Sequence, residues 1–528
     1  MLSPFRFFTR PFSYINAAEA TVLSFLVMSI LGGMMLLYTE SDRMVTAKIP
    51  IIEQVSVAPV ESGFGLPSTV EVHTFTQEVQ YKGERFIDTL FTSVSALCVT
   101  GLISTDFSQW TLAGQVITML LIQMGGLGII VFTSIFALLI MRGLSERENF
   151  RDLLAGILDI DGGKVRHMIK HVVLYTILFE GTGFLIMGIH LNANPSNIGD
   201  INPWWWALFH SVSAFNNAGF GLLNNNLMNF VEDPIISYTI AALIILGGLG
   251  YPVLIAIHAS VRRKIIGSDR VQKVLEEDAT GVIASSVQTR VAIYGTLLLL
   301  AVGTFIPLLV DWGNPIMSDL NPLQKLTAVF FQSVSTRTAG FNTVDIGALH
   351  VATLFLYMFL MYIGANPAGT AGGIKIPTVA VLYGYIKDWF KKPGEPVTLF
   401  GRRISKFAVS HAVRLYFFST IFIAVVTLFI CVAESRYLIT PDPTYNFLKV
   451  IFEIISAFGT VGLSMGFPGG VTSFSAIMSP FSKLLIILTM LFGRLGPLTI
   501  LASLPWKRRF ASYPLSPDFE NTEKIQVG

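Results

Sequence analysis

The chain has 528 residues, 52% of them hydrophobic and only 13% charged, with a mean hydropathy of +0.63. A soluble domain carries about 25% charged residues, so this composition excludes an ordinary soluble protein and points to a polytopic membrane protein. The net charge of +2 discriminates little, and two cysteines, Cys98 and Cys431, support neither a disulfide framework nor a cysteine metal cluster.

In chain order, residues 1–15 form a basic, aromatic lead-in without a small-residue cleavage site, read as a retained cytoplasmic segment. Apolar runs near 16–38, 113–141, 167–190, 235–258, 288–310, 348–386, 408–432 and 475–504 reach the roughly 20 residues that a helix needs to cross a bilayer. Between the members of each pair lies a stretch too short to cross, near 86–98, 204–216, 323–336 and 447–459. Each short stretch ends in a Ser-, Gly- or Asn-rich loop, and irregular backbone is tolerated at membrane depth only where it lines a cavity or is buried in protein. The expected fold is all-α and polytopic, with four repeats of span, pore helix, filter loop and span around a central pore. That makes eight transmembrane helices and four re-entrant pore helices. The repeats occupy 16–141, 167–258, 288–386 and 408–506. Cytoplasmic connections fill 142–166, 259–287 and 387–407, and a cytoplasmic tail follows at 507–528.

The repetition is visible residue by residue. The loops read Phe91-Thr-Ser-Val-Ser-Ala-Leu-Cys-Val-Thr-Gly101, Phe209-His-Ser-Val-Ser-Ala-Phe-Asn-Asn-Ala-Gly219, Phe331-Gln-Ser-Val-Ser-Thr-Arg-Thr-Ala-Gly340 and Phe452-Glu-Ile-Ile-Ser-Ala-Phe-Gly-Thr-Val-Gly462, at intervals of about 120 residues. The third is one residue shorter between its serine and its glycine. Basic residues fix the orientation. Arg142, Arg147, Arg151, Lys164 and Arg166 mark the first connection, and Arg262, Arg263, Lys264, Arg270 and Lys273 the second. Lys387, Lys391, Lys392, Arg402, Arg403 and Lys406 mark the third, and Lys507, Arg508 and Arg509 open the tail. By the positive-inside rule these segments and both termini are cytoplasmic. Segment 40–90 on the other side is rich in carboxylates, including Glu40 and Asp88, which reads either as a cation-concentrating mouth or as a solvated loop.

A cation leaving water needs its hydration shell replaced, and rings of backbone carbonyls do this in potassium-selective filters. Glycine permits the backbone that such a ring demands. The expected potassium-binding residues are therefore Val99, Thr100 and Gly101; Asn217, Ala218 and Gly219; Thr338, Ala339 and Gly340; and Thr460, Val461 and Gly462. Hydroxyl contacts from Thr100 and Thr460 add to the carbonyls. A single such loop reads more simply as a glycine helix cap; four in register do not.

The second span of each repeat carries a glycine break: Gly125-Gly126-Leu127-Gly128, Gly247-Gly248-Leu249-Gly250, Gly493-Arg494-Leu495-Gly496, and the ten residues 364–373. The first two suit close helix packing. The third, with Gly364, Gly369, Gly372, Gly373 and Pro367, is expected as an irregular loop facing the pore. Lys375 and Arg494 are intramembrane cations and so functional candidates. Arg494 reads either as a positive barrier to ions or as a tie between helices through backbone carbonyls. Arg337 reads as a brace turned away from the ion path, and Glu453 as a helix-start carboxylate. Trp204-Trp205-Trp206 reads as an interfacial anchor. His167 and His171 lie four apart without a third ligand. No Ser–His–carboxylate arrangement or P-loop stands out, which argues against an enzyme.

The strings CVTGL, FNNAGF, TRTAGFNTVD and GTVGLS, on four such repeats, resemble the Trk/Ktr/HKT superfamily of potassium transporters, most nearly the bacterial KtrB/TrkH-type membrane subunit, from about 16 to 506. The resemblance implies potassium uptake, a homodimer in the bilayer, an intramembrane gate at 364–373 and a separate cytoplasmic nucleotide-binding ring of the KtrA/TrkA type. It implies no cofactor bound by this chain and no nucleic-acid partner, and localises the chain to the cell membrane. A sodium-dependent or sodium-conducting transporter of the same architecture remains a rival, as does, from another class, an alternating-access carrier.

Overall fold

A computed structural model describes residues 17–40, 48–52, 56–57, 72–73, 76–80, 85–127, 162–266, 286–388, 397–435, 438, 446–466 and 473–496. The N-terminal lead-in, the connection up to 161, most of 259–287, residues 389–396, Gly128 and the tail lie outside the described residues.

Four long helices, α1 (Ala17–Glu40), α4 (Gly162–Ala193), α8 (Ser286–Val310) and α12 (Lys406–Ala433), are long and apolar enough to cross a membrane. Each is followed by a short helix: α2 (Arg85–Leu97), α5 (Pro203–Phe215), α9 (Pro322–Ser335) and α13 (Phe447–Gly459). A second helix follows each of these: α3 (Leu112–Gly126), α6 (Pro234–Leu249), α10 (Val351–Tyr362) and α14 (Pro480–Leu495). Starts are set locally. Asn202, Asp233, Asn321 and Ser479 cap helices whose first residue is proline, which lacks the N–H that a helix start would leave unpaired. Surface polarity is inverted relative to a soluble protein. Ile177, Leu298, Leu309, Phe355 and Leu428 are exposed, while Ser93, Ser211, Ser333, Asn216 and Asn217 are buried.

The Phe-x-Ser-Val-Ser pattern has a packing cause. Ser93, Ser211 and Ser333 each donate to a carbonyl of the preceding long helix, Ser29 at 2.8 Å, Glu180 at 2.5 Å and Leu300 at 2.9 Å. One turn further along that helix stand Gly32, Gly183 and Gly303, where any side chain would collide with the serine hydroxyl. Ile454 occupies the serine's place in the fourth short helix, so that helix lacks this clasp. A second tie joins the end of each long helix to the start of the second helix. Buried Glu40 accepts from Thr111, buried Asp311 from the His350 N–H and Thr353, and buried Glu434 from Ser479 and Ser482; His190 and Asp233, 2.8 Å apart, do the same work in the second unit.

Several expectations are corrected here. The second helices are 12 to 16 residues long as far as the described residues follow them; the expected spans 113–141 and 475–504 continue outside the described residues. The second glycine break does more than allow packing: at Gly250, φ +83°, the chain turns by 101° into α7 (Tyr251–Ile266). Residues 363–375 separate α10 from α11 (Ile376–Asp388) without helix. The chain is not wholly α. Strands β1 (Lys48–Ile52) and β4 (Thr76–Gln80), and β2 (Ser56–Val57) and β3 (Val72–His73), pair antiparallel, Lys48 opposite Gln80 and Ser56 opposite His73. Their Val, Ile and Thr content suits a pleated pair better than a helix. A two-residue ladder, β5 (Thr398–Leu399) with β6 (Arg402–Arg403), lies beyond α11. Glu40 and Asp88 do not charge a mouth: Glu40 is consumed by its clasp, and Asp88 pairs with buried Lys483 of α14 at 2.7 Å. The tryptophan run also divides. Trp204 is exposed, whereas Trp206 is fully buried and stacked on His210.

Candidate functional site

The four short helices deliver four loops of one conformation. The residue two before each glycine is left-handed: Val99 (φ +50°), Asn217 (+59°), Thr338 (+71°) and Thr460 (+49°). So are the glycines themselves, Gly101 (+95°), Gly219 (+72°), Gly340 (+78°) and Gly462 (+92°). The residue between them, Thr100, Ala218, Ala339 or Val461, donates its N–H to the carbonyl of the motif's last serine, at 2.8, 2.7, 3.0 and 2.8 Å. Left-handed residues at alternate positions turn successive peptide planes the same way, a path that side chains resist and glycine allows.

The loops meet one another in cyclic order. A Cβ on Gly101 would lie 2.5 Å from the Ala218 carbonyl oxygen, and one on Gly219 would lie 2.6 Å from that of Ala339. A Cβ on Gly340 would overlap the Val461 carbonyl, and one on Gly462 that of Thr100. Each glycine thus backs onto the next loop's carbonyl, and the fourth onto the first, so the ring is closed. All four predicted triplets sit in it. The Thr100 and Thr460 hydroxyls are buried and have no hydrogen-bond partner among the described residues. On one side the four glycines line a cavity of about 570 Å³, which Lys449 and Asp345 also border.

On the other side lies the irregular segment 363–375, and it is stitched to the glycine breaks. Asn366 and Thr370 donate their N–H groups to Gly248 (3.1 Å) and Gly247 (3.3 Å), Gly373 to Gly493 (3.2 Å), and Tyr251 donates back to Ala368 (3.2 Å). The Thr370 hydroxyl donates to Asn217 Oδ1 at 3.2 Å, and Gly372 lies against the Thr460 side chain, so the segment touches the ring itself. Buried Arg494 hydrogen-bonds the carbonyls of Thr370 and Gly125. It is a tie between backbones. Lys375 Nζ donates to Ala371 (2.5 Å) and Gly372 (3.2 Å) within its own loop. Gly364 packs against Gly372, and Gly369 lies near Gly250.

Arg337 turns from the ring to the α8 side, its Nη1 3.5 Å from the Thr296 carbonyl. Glu453 is not at a helix start. It is buried in mid-helix, where it accepts from Ser464 (2.6 Å) and Ser475 (2.9 and 2.5 Å) and anchors the chain beyond Gly462. Sequence reasoning missed Asn216, which bridges Gln123 (3.0 Å) and Glu180 (2.9 Å) behind the second loop, and Asn226, which reaches Gly219. The Asn-rich run 224–226 was the available signal, since asparagine tolerates left-handed backbone.

Residues 20–506 match the TrkH family profile, described as cation transport protein. The chain belongs to this family. It is the superfamily that the loop motifs resemble, and it comprises transporters, not enzymes. The chain is 34% identical over 422 residues to the Ktr system potassium uptake protein B of Bacillus subtilis, a match spanning 79% of this chain and 85% of that protein. It is 32% identical over 425 residues to the potassium/sodium uptake protein NtpJ of Enterococcus hirae, spanning 79% and 85%. Among solved structures, the potassium transporter TrkH from Vibrio parahaemolyticus superposes with a TM-score of 0.56 at 18% identity, over 79% of this chain and 78% of that one. That likeness speaks for a membrane-transporter fold, in accord with the four long apolar helices of a multi-pass membrane protein.

Proposed function

We propose that this protein takes up potassium ions across the cell membrane through the ring of Gly101, Gly219, Gly340 and Gly462. The observation that carries this reading is the cyclic interlock, in which every glycine backs onto the carbonyl of the next loop. Four chemically similar loops around one axis offer a desolvated cation one carbonyl apiece in each layer, from the glycine and from the residue before it. The free hydroxyls of Thr100 and Thr460 add oxygen ligands on the side facing 363–375. In this reading the chain is four pore repeats, 16–141, 167–258, 288–386 and 408–506, joined by cytoplasmic connections, with both termini cytoplasmic. The segment 363–375 is the gate. It lies across the path directly beneath the ring, Arg494 holds it there while Lys375 braces it from within, and its irregular backbone can move without unwinding a helix. Two such chains form a homodimer, and a separate cytoplasmic nucleotide-binding ring of the KtrA/TrkA type controls the gate. The relatives named for potassium uptake support the ion assignment. One observation favours a second reading: the Enterococcus hirae relative is named for potassium and sodium, so sodium conduction or sodium dependence is the alternative.

Rubidium and sodium flux in liposomes containing Gly101→Ser and Gly340→Ser variants tests the ring. Loss of rubidium-over-sodium discrimination is expected in both. Discrimination equal to that of the parent in both variants overturns the assignment.

A further inference from the structure

Asn226 lies seven residues beyond Gly219, with its own backbone in the left-handed region (φ +56°). Its Nδ2 donates to the Gly219 carbonyl oxygen at 3.1 Å. Its Oδ1 accepts from the Asn342 N–H at 3.5 Å, just past the third glycine loop, and the neighbouring Leu227 N–H donates to the Asn342 carbonyl at 3.1 Å. The amide is therefore held between the segments that follow two adjacent loops, and it borders the cavity over the ring. Among the described residues no donor reaches the carbonyls of Gly101, Gly340 or Gly462. Among the described residues the cavity edge of the ring is therefore unequal: one carbonyl accepts a hydrogen bond and the other three accept none.

We infer that Asn226 is a specificity-determining residue, whose amide weakens the field of the Gly219 carbonyl and so favours the larger alkali cations at the cavity edge of the ring. This rests on the potassium-filter reading above. Selectivity in a carbonyl ring depends on the number and field strength of its dipoles. A strong field repays the high dehydration cost of a small cation. A carbonyl that shares its lone pair with an N–H repays less, which costs sodium more than potassium or rubidium.

Two variants separate the donor from the scaffold. Asn226→Gly keeps the left-handed backbone without steric cost and removes the amide. Asn226→Asp keeps an acceptor for Asn342 but replaces the donor by a charged carboxylate oxygen, which pushes the ratio in the same direction as loss of the donor. In rubidium flux with competing sodium, measured on purified protein in liposomes, both variants are expected to lower the rubidium-to-sodium ratio by about two- to tenfold, the range of one ordinary hydrogen bond. Asn226→Ala, neutral and likewise without the donor, carries the expectation if Asn226→Gly does not purify as a single species. A ratio unchanged in the neutral variant overturns the assignment, even where flux of both ions falls together, because a bond that merely supports the loop would affect both ions alike. Gly219→Ser is measured in parallel. If it too leaves the ratio unchanged, the filter reading itself fails; if it abolishes discrimination while the neutral variant leaves the ratio unchanged, only the role of Asn226 fails.

Discussion

Replacing Arg494 by methionine keeps an unbranched stem as far as the arginine Nε and removes the guanidinium charge and the two donors that reach Thr370 and Gly125. The structure sets the size of the effect. Of its two hydrogen bonds, to Thr370 and Gly125, the one to Thr370 reaches 363–375, and a bond from a charged donor contributes about 1.5–3 kcal/mol, so about that much hold on the segment is lost. Four backbone bonds to Gly247, Gly248, Gly493 and Tyr251 remain and keep the segment from unfolding outright. That shifts a closed-to-open ratio by about tenfold at the low end and about 150-fold at the high end. A gate open about 1% of the time would then be open from about a tenth to more than half of it. Rubidium flux per protein in liposomes, without the cytoplasmic regulator, should rise by about tenfold or more at an unchanged rubidium-to-sodium ratio. Flux equal to or below the parent's, in protein of unchanged thermal stability, would refute the view that Arg494 holds the segment across the path.

Two further expectations concern stability. Asp88→Asn leaves the Lys483 ammonium buried without its partner, and should cost about 3–5 kcal/mol; the double variant Asp88→Leu with Lys483→Met should recover most of the lost unfolding midpoint, and a double variant no better than the single one would show the pair to be incidental. Ser211→Ala deletes the hydrogen bond to the Glu180 carbonyl and should lower stability by about 1 kcal/mol, whereas Ile454→Ala, at the place where the clasp is missing, should act only through lost packing; equal denaturation profiles for Ser211→Ala and the parent would remove the clasp from the account.

What the sequence made legible was what is local and repeated. The glycine loops were readable because a closed ring imposes the same backbone four times, and the serine before each glycine marks where the helix must stop. The irregular segment was readable because glycines and a proline bar a helix there. Distant partnerships were not legible. Arg494 stood open between barrier and tie because its acceptors lie 124 and 369 residues away in sequence. Asp88 looked like mouth charge because Lys483 is 395 residues away. Gly250 looked like a packing glycine because hydropathy is blind to the sign of one φ angle, which here follows from contact with Pro367 and Ala368 on another element. Trp206 looked like part of an anchor because a run of three tryptophans hides the helical rotation that buries one and exposes another.

The seam between the last loop and the first has a consequence for biosynthesis. Gly462 closes against Thr100, and Lys483 bolts α14 to Asp88 of α2. A chain emerging from the ribosome therefore holds its first loop unmatched until nearly its whole length has been made, since domains assemble from the N-terminus as synthesis proceeds. Three inserted quarters enclose no ring, so on the proposed filter reading a truncated product offers ions no selective conduit. The last quarter supplies both the final arc and the bolt, so on that reading the pore and the contacts that hold it shut arrive together.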